Sequence, residues 1–199
     1  MAIKPILFNT EMVRAILEDR KTVTRRAIKP QPDSDYEAVK GMYRDSNGKL
    51  CAVFRSSEEI KSVYPNCDRG DILWVRETFA QPAKHIFWYK ADFRLQNILW
   101  RPSIHMPREA ARIFLRVTGV HVERLRDVTD HEAEKEGVLK VREHEYKGQK
   151  HLFYAPRAAF HEIWDSTVDP YYLGLFGWEA NPWVWVIEFE RCDRPGNWK

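Results

Sequence analysis

The chain has 199 residues, 44% of them hydrophobic and 31% charged, with a formal net charge of +3. That length suits one domain with a real core, and so mild a charge argues against a strong nonspecific grip on nucleic acid. No apolar run is long enough to span a bilayer, no secretory signal pattern is present, and Cys51, Cys67 and Cys192 are scattered without a C-x-x-C pair. These features speak against a disulfide framework or structural zinc and for a reducing cytoplasm.

In chain order, KPILFN predicts a short strand, and Asn9 or Thr10 caps a helix with Met12, Val13, Ile16 and Leu17 on one face. The stretch EDRKTVTRRAIKP follows, and its Thr22-Val23-Thr24 favours an extended backbone. Residues 30 to 69 are rich in Pro, Asp, Ser and Gly and read as an irregular excursion, with a hairpin near Asn47-Gly48. RGDILWVRETFA predicts a turn and a strand, HIFWYKAD its partner, and RPSIHMPREAA a loop with one helical turn. ARIFLRVTGVHVERL is the clearest strand, and its apolar phase shifts at Gly119 as a β-bulge requires.

Further on, VTDHEAEKEGV predicts a short helix with a capping box from Thr129 to Glu132 and a stop at Gly137. Residues 139 to 153 read as a charged loop, and APRAAFHEIWDSTV as a helix opened by Pro156 with Phe160, Ile163 and Trp164 inward. NPWVWVIEFERC is a strand with Trp183, Trp185, Ile187 and Phe189 on one face. The sum is a small, curled, mostly β domain with a few packed helices, an α+β barrel-like fold over residues 1 to 199.

Lys21 lies among Arg20, Arg25 and Arg26, like charges that disfavour its ammonium form, and Thr24 stands three residues on. A lysine so placed can serve as base or nucleophile; the same residues also describe a basic strand edge or a phosphate patch. Glu136 ends its helix where the dipole disfavours a carboxylate, so it either recruits a distant cation or is solvated. Trp100, Arg101 and His105 offer a stacking face, a donor and an imidazole, although His105 also reads as an ordinary loop histidine. Arg76 and Glu77 are charges in an apolar strand, either a structural pair at the barrel mouth or part of a binding site. No cluster with metal-ligand spacing is evident, and no cofactor is expected.

ILEDRKTVTRR, RGDILWVRET and RDVTDHEAEKEGV, in that order, resemble the three motifs of the ASCH domain family in the PUA-like superfamily. The match rests on Arg20, Lys21, Thr22, Thr24 and Arg26, on Gly70, Asp71, Leu73 and Val75, and on Thr129, Ala133 and Glu136. Asp19 stands where the family has glycine. The larger size, with insertions at about 30–69 and 139–182, is similar to ASCH proteins of phages and prophages. The resemblance implies a PUA-like curled β-barrel with loop-rich insertions and a cleft lined by the Lys-Thr-x-Thr segment.

It also implies amide hydrolysis of N4-acetylcytidine or a similar N-acylated base, with Lys21, Thr24 and Glu136 catalytic. Arg20, Arg26, Arg76, Glu77, Trp100, Arg101 and His105 are then expected around the substrate. A metal-independent ribonuclease and a noncatalytic RNA- or modified-base-binding module remain open alternatives. The partner is a modified nucleoside or RNA; the membrane is not expected to be one, and the oligomeric state is left open.

Overall fold

The computed structural model describes residues 1–33, 36–38, 41–93, 97–138, 141–146, 149–196 and 198. Strand β1 (Ile3–Leu7) leads to helix α1 (Thr10–Leu17), whose first turn is capped by the Asn9 side chain accepting from the Met12 amide at 2.9 Å. Val13, Ala15 and Ile16 are its buried face. The chain leaves α1 through Asp19 at φ 56°, a left-handed conformation that aspartate tolerates better than most residues. The turn that glycine would make is therefore made here by Asp19, and it delivers Lys21 to strand β2 (Val23–Ala27).

The first insertion is more regular than its composition suggests. β3 (Glu37–Ala38), β4 (Tyr43–Arg44), β5 (Leu50–Arg55) and β6 (Ile60–Val63) pair around a central β5, with the expected hairpin at Asn47-Gly48. Cys51, Ala52 and Phe54 of β5 are buried, so an apolar minority in a polar stretch suffices to seat it.

RGDILWVRETFA forms two strands, β7 (Ile72–Arg76) and β8 (Phe79–Ala83), and β8 pairs with β9 (Ile86–Tyr89). β10 (Phe114–Arg124) carries the expected bulge between Val117 and Gly119, which keeps Leu115, Val117, Val120 and Val122 on one side of the sheet. α2 (Asp130–Lys135) begins with the predicted capping box and ends at Glu136, and Gly137 follows at φ 87°. The expectation of a loop at 139 to 153 is corrected: β11 (Val141–Tyr146) and β12 (Gln149–Tyr154) form an antiparallel hairpin, while residues 139, 140, 147 and 148 lie outside those described. The stretch reads as a loop because Arg142, Glu143, Glu145 and Lys150 dominate its composition over a few apolar residues. Then come α3 (Pro156–Thr167), α4 (Leu173–Phe176) and β13 (Trp183–Cys192).

The main sheet has the order β1-β7-β10-β13-β2, parallel at β1–β7 and antiparallel elsewhere. The fold is mixed α+β and mostly sheet, and no ladder closes it into a barrel among the described residues. Instead, edge strands β1 and β2 approach closely enough for the Arg26 guanidinium to donate to the Leu7 carbonyl at 2.7 Å. Trp185, Ile187 and Phe189 of β13 face the main core with α1, whereas Val184 and Val186 face a second core built from α2 and α3. Both faces of β13 are thus covered from Val184 to Ile187, while Glu188 and Glu190 are exposed. No helix among the described residues is long and apolar enough to cross a membrane.

Candidate functional site

Lys21 sits in the bend between α1 and β2, where both its own amide and that of Arg20 donate to the Ala15 carbonyl. Its backbone bridges to Glu136, and the Thr22 amide donates to the Lys135 carbonyl at 2.8 Å. This approach is possible because residue 137 is glycine. A Cβ there would stand 2.6 Å from the Ala15 Cβ and 2.9 Å from the Lys21 Cβ, at a φ that side chains avoid. The cap of α2 and the exit turn of α1 therefore press together, and two residues 115 apart meet.

The Lys21 Nζ donates to Glu136 Oε2 at 2.5 Å, to the Glu136 carbonyl at 3.0 Å and to the Val23 carbonyl at 2.8 Å. Its three ammonium donors are all engaged, and its side chain is 0% exposed. Arg25 completes the group: its Nη1 donates to Glu136 Oε1 at 3.2 Å and its Nε to Glu123 Oε1 at 2.7 Å. Two cations face two carboxylates, with Glu132 3.8 Å from the second Arg25 terminal nitrogen. Burial lowers the Lys21 pKa against the pull of Glu136, and Arg26 and Arg25 push in the same direction as burial. The expected direction holds, but desolvation leads and Arg20 takes no part in it.

Strand alternation puts Thr24 and Arg26 on the face opposite Arg25. Thr24 is 2% exposed and pairs across the sheet with Ile187. Ile187 and Arg26 line a cavity of about 660 Å³ between the two sheet edges, with Lys4, Ile6, Leu7, Asn66, Cys67 and Leu73. Phe8 separates this seam cavity from the lysine: Lys21 Nζ is 5.6 Å and the Arg26 Cζ 5.2 Å from its ring centroid. Burial also depresses the Arg26 pKa, with Glu136 opposing. The Cys67 thiol is pushed up to about 11 by burial, so it is protonated near neutrality and no nucleophile. On the far side, Glu136 and Gly137 line a smaller cavity of about 240 Å³ with Ala15 of α1 and Phe160 of α3.

Lys21, Glu136 and Arg26 are therefore neighbours, Thr24 is buried beside Ile187 with no side-chain hydrogen bond to them among the described residues, and the other sequence-derived residues are distributed differently. Arg20 braces the turn, bonding Glu18 and the Gly137 carbonyl. Arg76 stacks on Trp74 and donates to the Ile104 carbonyl. Arg76 and Glu77 do not pair. Glu77 is instead held bidentately by Arg112 at 2.8 and 3.0 Å, and Arg112 also grips Asp92 and covers the Tyr89 ring.

Trp100 is half-buried, Arg101 and His105 are exposed, and none of the three lines the seam cavity. Arg101 contributes a backbone bridge to Phe79. Its loop was expected at the substrate because of its residue types, but its anchor points lie on β8 and Arg76. Sequence reading placed Arg25 beside Lys21 but not against Glu136, and it missed Glu123 and Phe8 as members of the group. The signal for Arg25 was present: a charge at the buried phase of a strand between Val23 and Ala27 demands a carboxylate.

Comparison of the chain with protein-family models, with curated proteins and with solved structures gives no match.

Proposed function

We propose that the chain is a PUA-like ASCH-domain hydrolase that removes the acyl group from an N-acylated nucleoside such as N4-acetylcytidine. The observation that carries this reading is the buried 2.5 Å contact between Lys21 Nζ and Glu136, with Thr24 three residues along the chain and paired to Ile187, which lines the seam cavity. Desolvation favours the neutral amine, and a proton released by Lys21 has Glu136 as its nearest acceptor. The neutral amine then takes the proton of Thr24 or of a water, and the oxygen attacks the acyl carbonyl. Arg26 lines the cavity with one guanidinium hydrogen bond to the described residues, leaving N–H groups for the oxyanion. The C–N bond breaks as the proton held by the Lys21–Glu136 pair passes to the exocyclic amine. Where Thr24 is the nucleophile, a water that gives its proton to the Lys21 amine then hydrolyses the acyl ester, releasing the carboxylic acid and restoring the hydroxyl.

The test is chromatographic turnover of N4-acetylcytidine by the wild type, Thr24→Val and Glu136→Gln. Lys21→Ala is the poorer variant because it leaves Glu136 buried with one cation fewer. Release of cytidine by the wild type, lost by about 100-fold or more in both variants, supports the reading. Absent turnover in the wild type, or full turnover in folded Glu136→Gln, overturns it; full turnover in folded Thr24→Val alone assigns the attack to water. A second reading, a noncatalytic modified-base-binding module, is favoured by the full engagement and zero exposure of the Lys21 ammonium. It predicts saturable binding of the nucleoside with no product.

A further inference from the structure

A larger cavity, about 820 Å³, lies away from Lys21, between residues 29–33, the end of β10 and residues 172–182. Most of its lining, from Pro30 to Asp33 and from Tyr172 to Pro182, comes from the two insertions, while Lys29 and Arg124 come from the stretches beside them. Tyr172, 49% exposed, and Leu175, 50% exposed, form one wall. Pro30 and Pro182 line it as well, and proline offers no N–H for a polar contact.

Lys29 and Arg124 supply the charge, and each is backed by an aromatic ring. The Lys29 Nζ is 4.6 Å from the Phe176 centroid, and the Arg124 Cζ is 4.2 Å from that of Trp183. Arg124 gives one hydrogen bond to the Asn181 carbonyl at 3.1 Å, and neither cation has an ion pair among the described residues. Burial lowers the Arg124 pKa, with Asp127 opposing. Two held but unpaired cations beside an exposed ring call for a ligand that joins a multiply charged anion to a flat apolar surface. A phosphate provides enough acceptor oxygens for both cations, and a nucleobase provides the surface for Tyr172. Asp33, a carboxylate in the lining, opposes the anion and so supplies a test of sign.

We propose that this cavity is a nucleotide site, with the base against Tyr172 and the phosphate between Lys29 and Arg124. The site is independent of hydrolysis at Lys21 and stands if that reading fails. The ligand is either a free mononucleotide or one unit of a single strand, and the two sources are separable.

The full chain is titrated calorimetrically with adenosine monophosphate and with a ten-residue oligoadenylate, at low and moderate salt. Saturable binding is expected, weakened about tenfold in Tyr172→Ala. It is also weaker and less salt-sensitive in Lys29→Gln, tighter in Asp33→Asn and unchanged in Arg26→Gln. Equal affinities for the two ligands identify the free nucleotide; a much tighter oligomer identifies the strand. Thermal unfolding establishes that each variant is folded. The proposal is overturned by absence of saturable binding of either ligand, by binding that survives both Tyr172→Ala and Lys29→Gln, or by binding that Arg26→Gln abolishes.

Discussion

Two buried carboxylates, Glu136 and Glu77, are held by opposite strategies. Glu77 is gripped bidentately by one arginine whose side chain is 28% exposed and whose other edge meets Asp92 at the surface. Glu136 is held by Lys21 and Arg25, both essentially without solvent access. An arginine keeps its proton at any relevant pH, so the Glu77 cluster is a strut that pins β7 to the stretch before β10. A lysine can lose its proton when desolvated, and burial pushes Lys21 in that direction against the pull of Glu136. Both glutamates are charges beside apolar sequence, and it is the partner's chemistry that separates a strut from a candidate site.

The largest effect that would break this comparison is on stability. Glu136→Ala leaves Lys21 and Arg25 buried with one carboxylate fewer, and we expect a loss of about 3–5 kcal/mol in denaturant unfolding. A loss below about 1 kcal/mol would mean that Lys21 is already neutral in the folded chain, since a neutral amine needs no counter-ion. Next comes Gly137→Ala, which drives a Cβ against Ala15 and Lys21 at an unfavourable φ. We expect about 1–3 kcal/mol, read as a lowered unfolding midpoint.

The smallest effect has the most specific sign. Burial holds the folded Glu77 above the ordinary value of 4.5, against Arg112. Its contribution is therefore present below that value and lost as pH rises through the folded pKa. Glu123, the partner of Arg25, is the reverse: against its burial, His121 and Arg25 hold it below 4.5. Its contribution is present above 4.5 and lost as pH falls through the folded pKa. Urea midpoints measured across the acid range should change slope in opposite directions for Glu77→Gln and Glu123→Gln. Each change should be under about 1.4 kcal/mol per pH unit. Slopes of the same sign would erase the distinction between the two groups.

Local order was largely legible. The Asn9 cap, the Thr129 capping box, Pro156 at the start of α3 and the bulge at Gly119 each depend on residues within one or two turns of one another. The hairpin at 141–154 and the sheet around β5 were not, because strand pairing there is decided by partners that polar composition does not announce. At the site, the Lys21–Glu136 meeting could be expected only through resemblance. Aromatic rings fill the cores and back cations, as Trp183 does for Arg124 and Phe8 for Lys21 and Arg26.

The sequence by itself determined where helices begin and end, which strand phases are apolar, and that a lysine, a threonine and a glutamate stand in unusual local settings. These are short-range matters of backbone preference, capping and alternation. Tertiary structure decided which carboxylate each cation meets. It left the sheet open at a seam rather than closed, and it shut Lys21 away from water while leaving Lys29 and Arg124 at a cavity wall. Those outcomes depend on contacts between segments more than a hundred residues apart, and on desolvation, which exists only once both partners are in place.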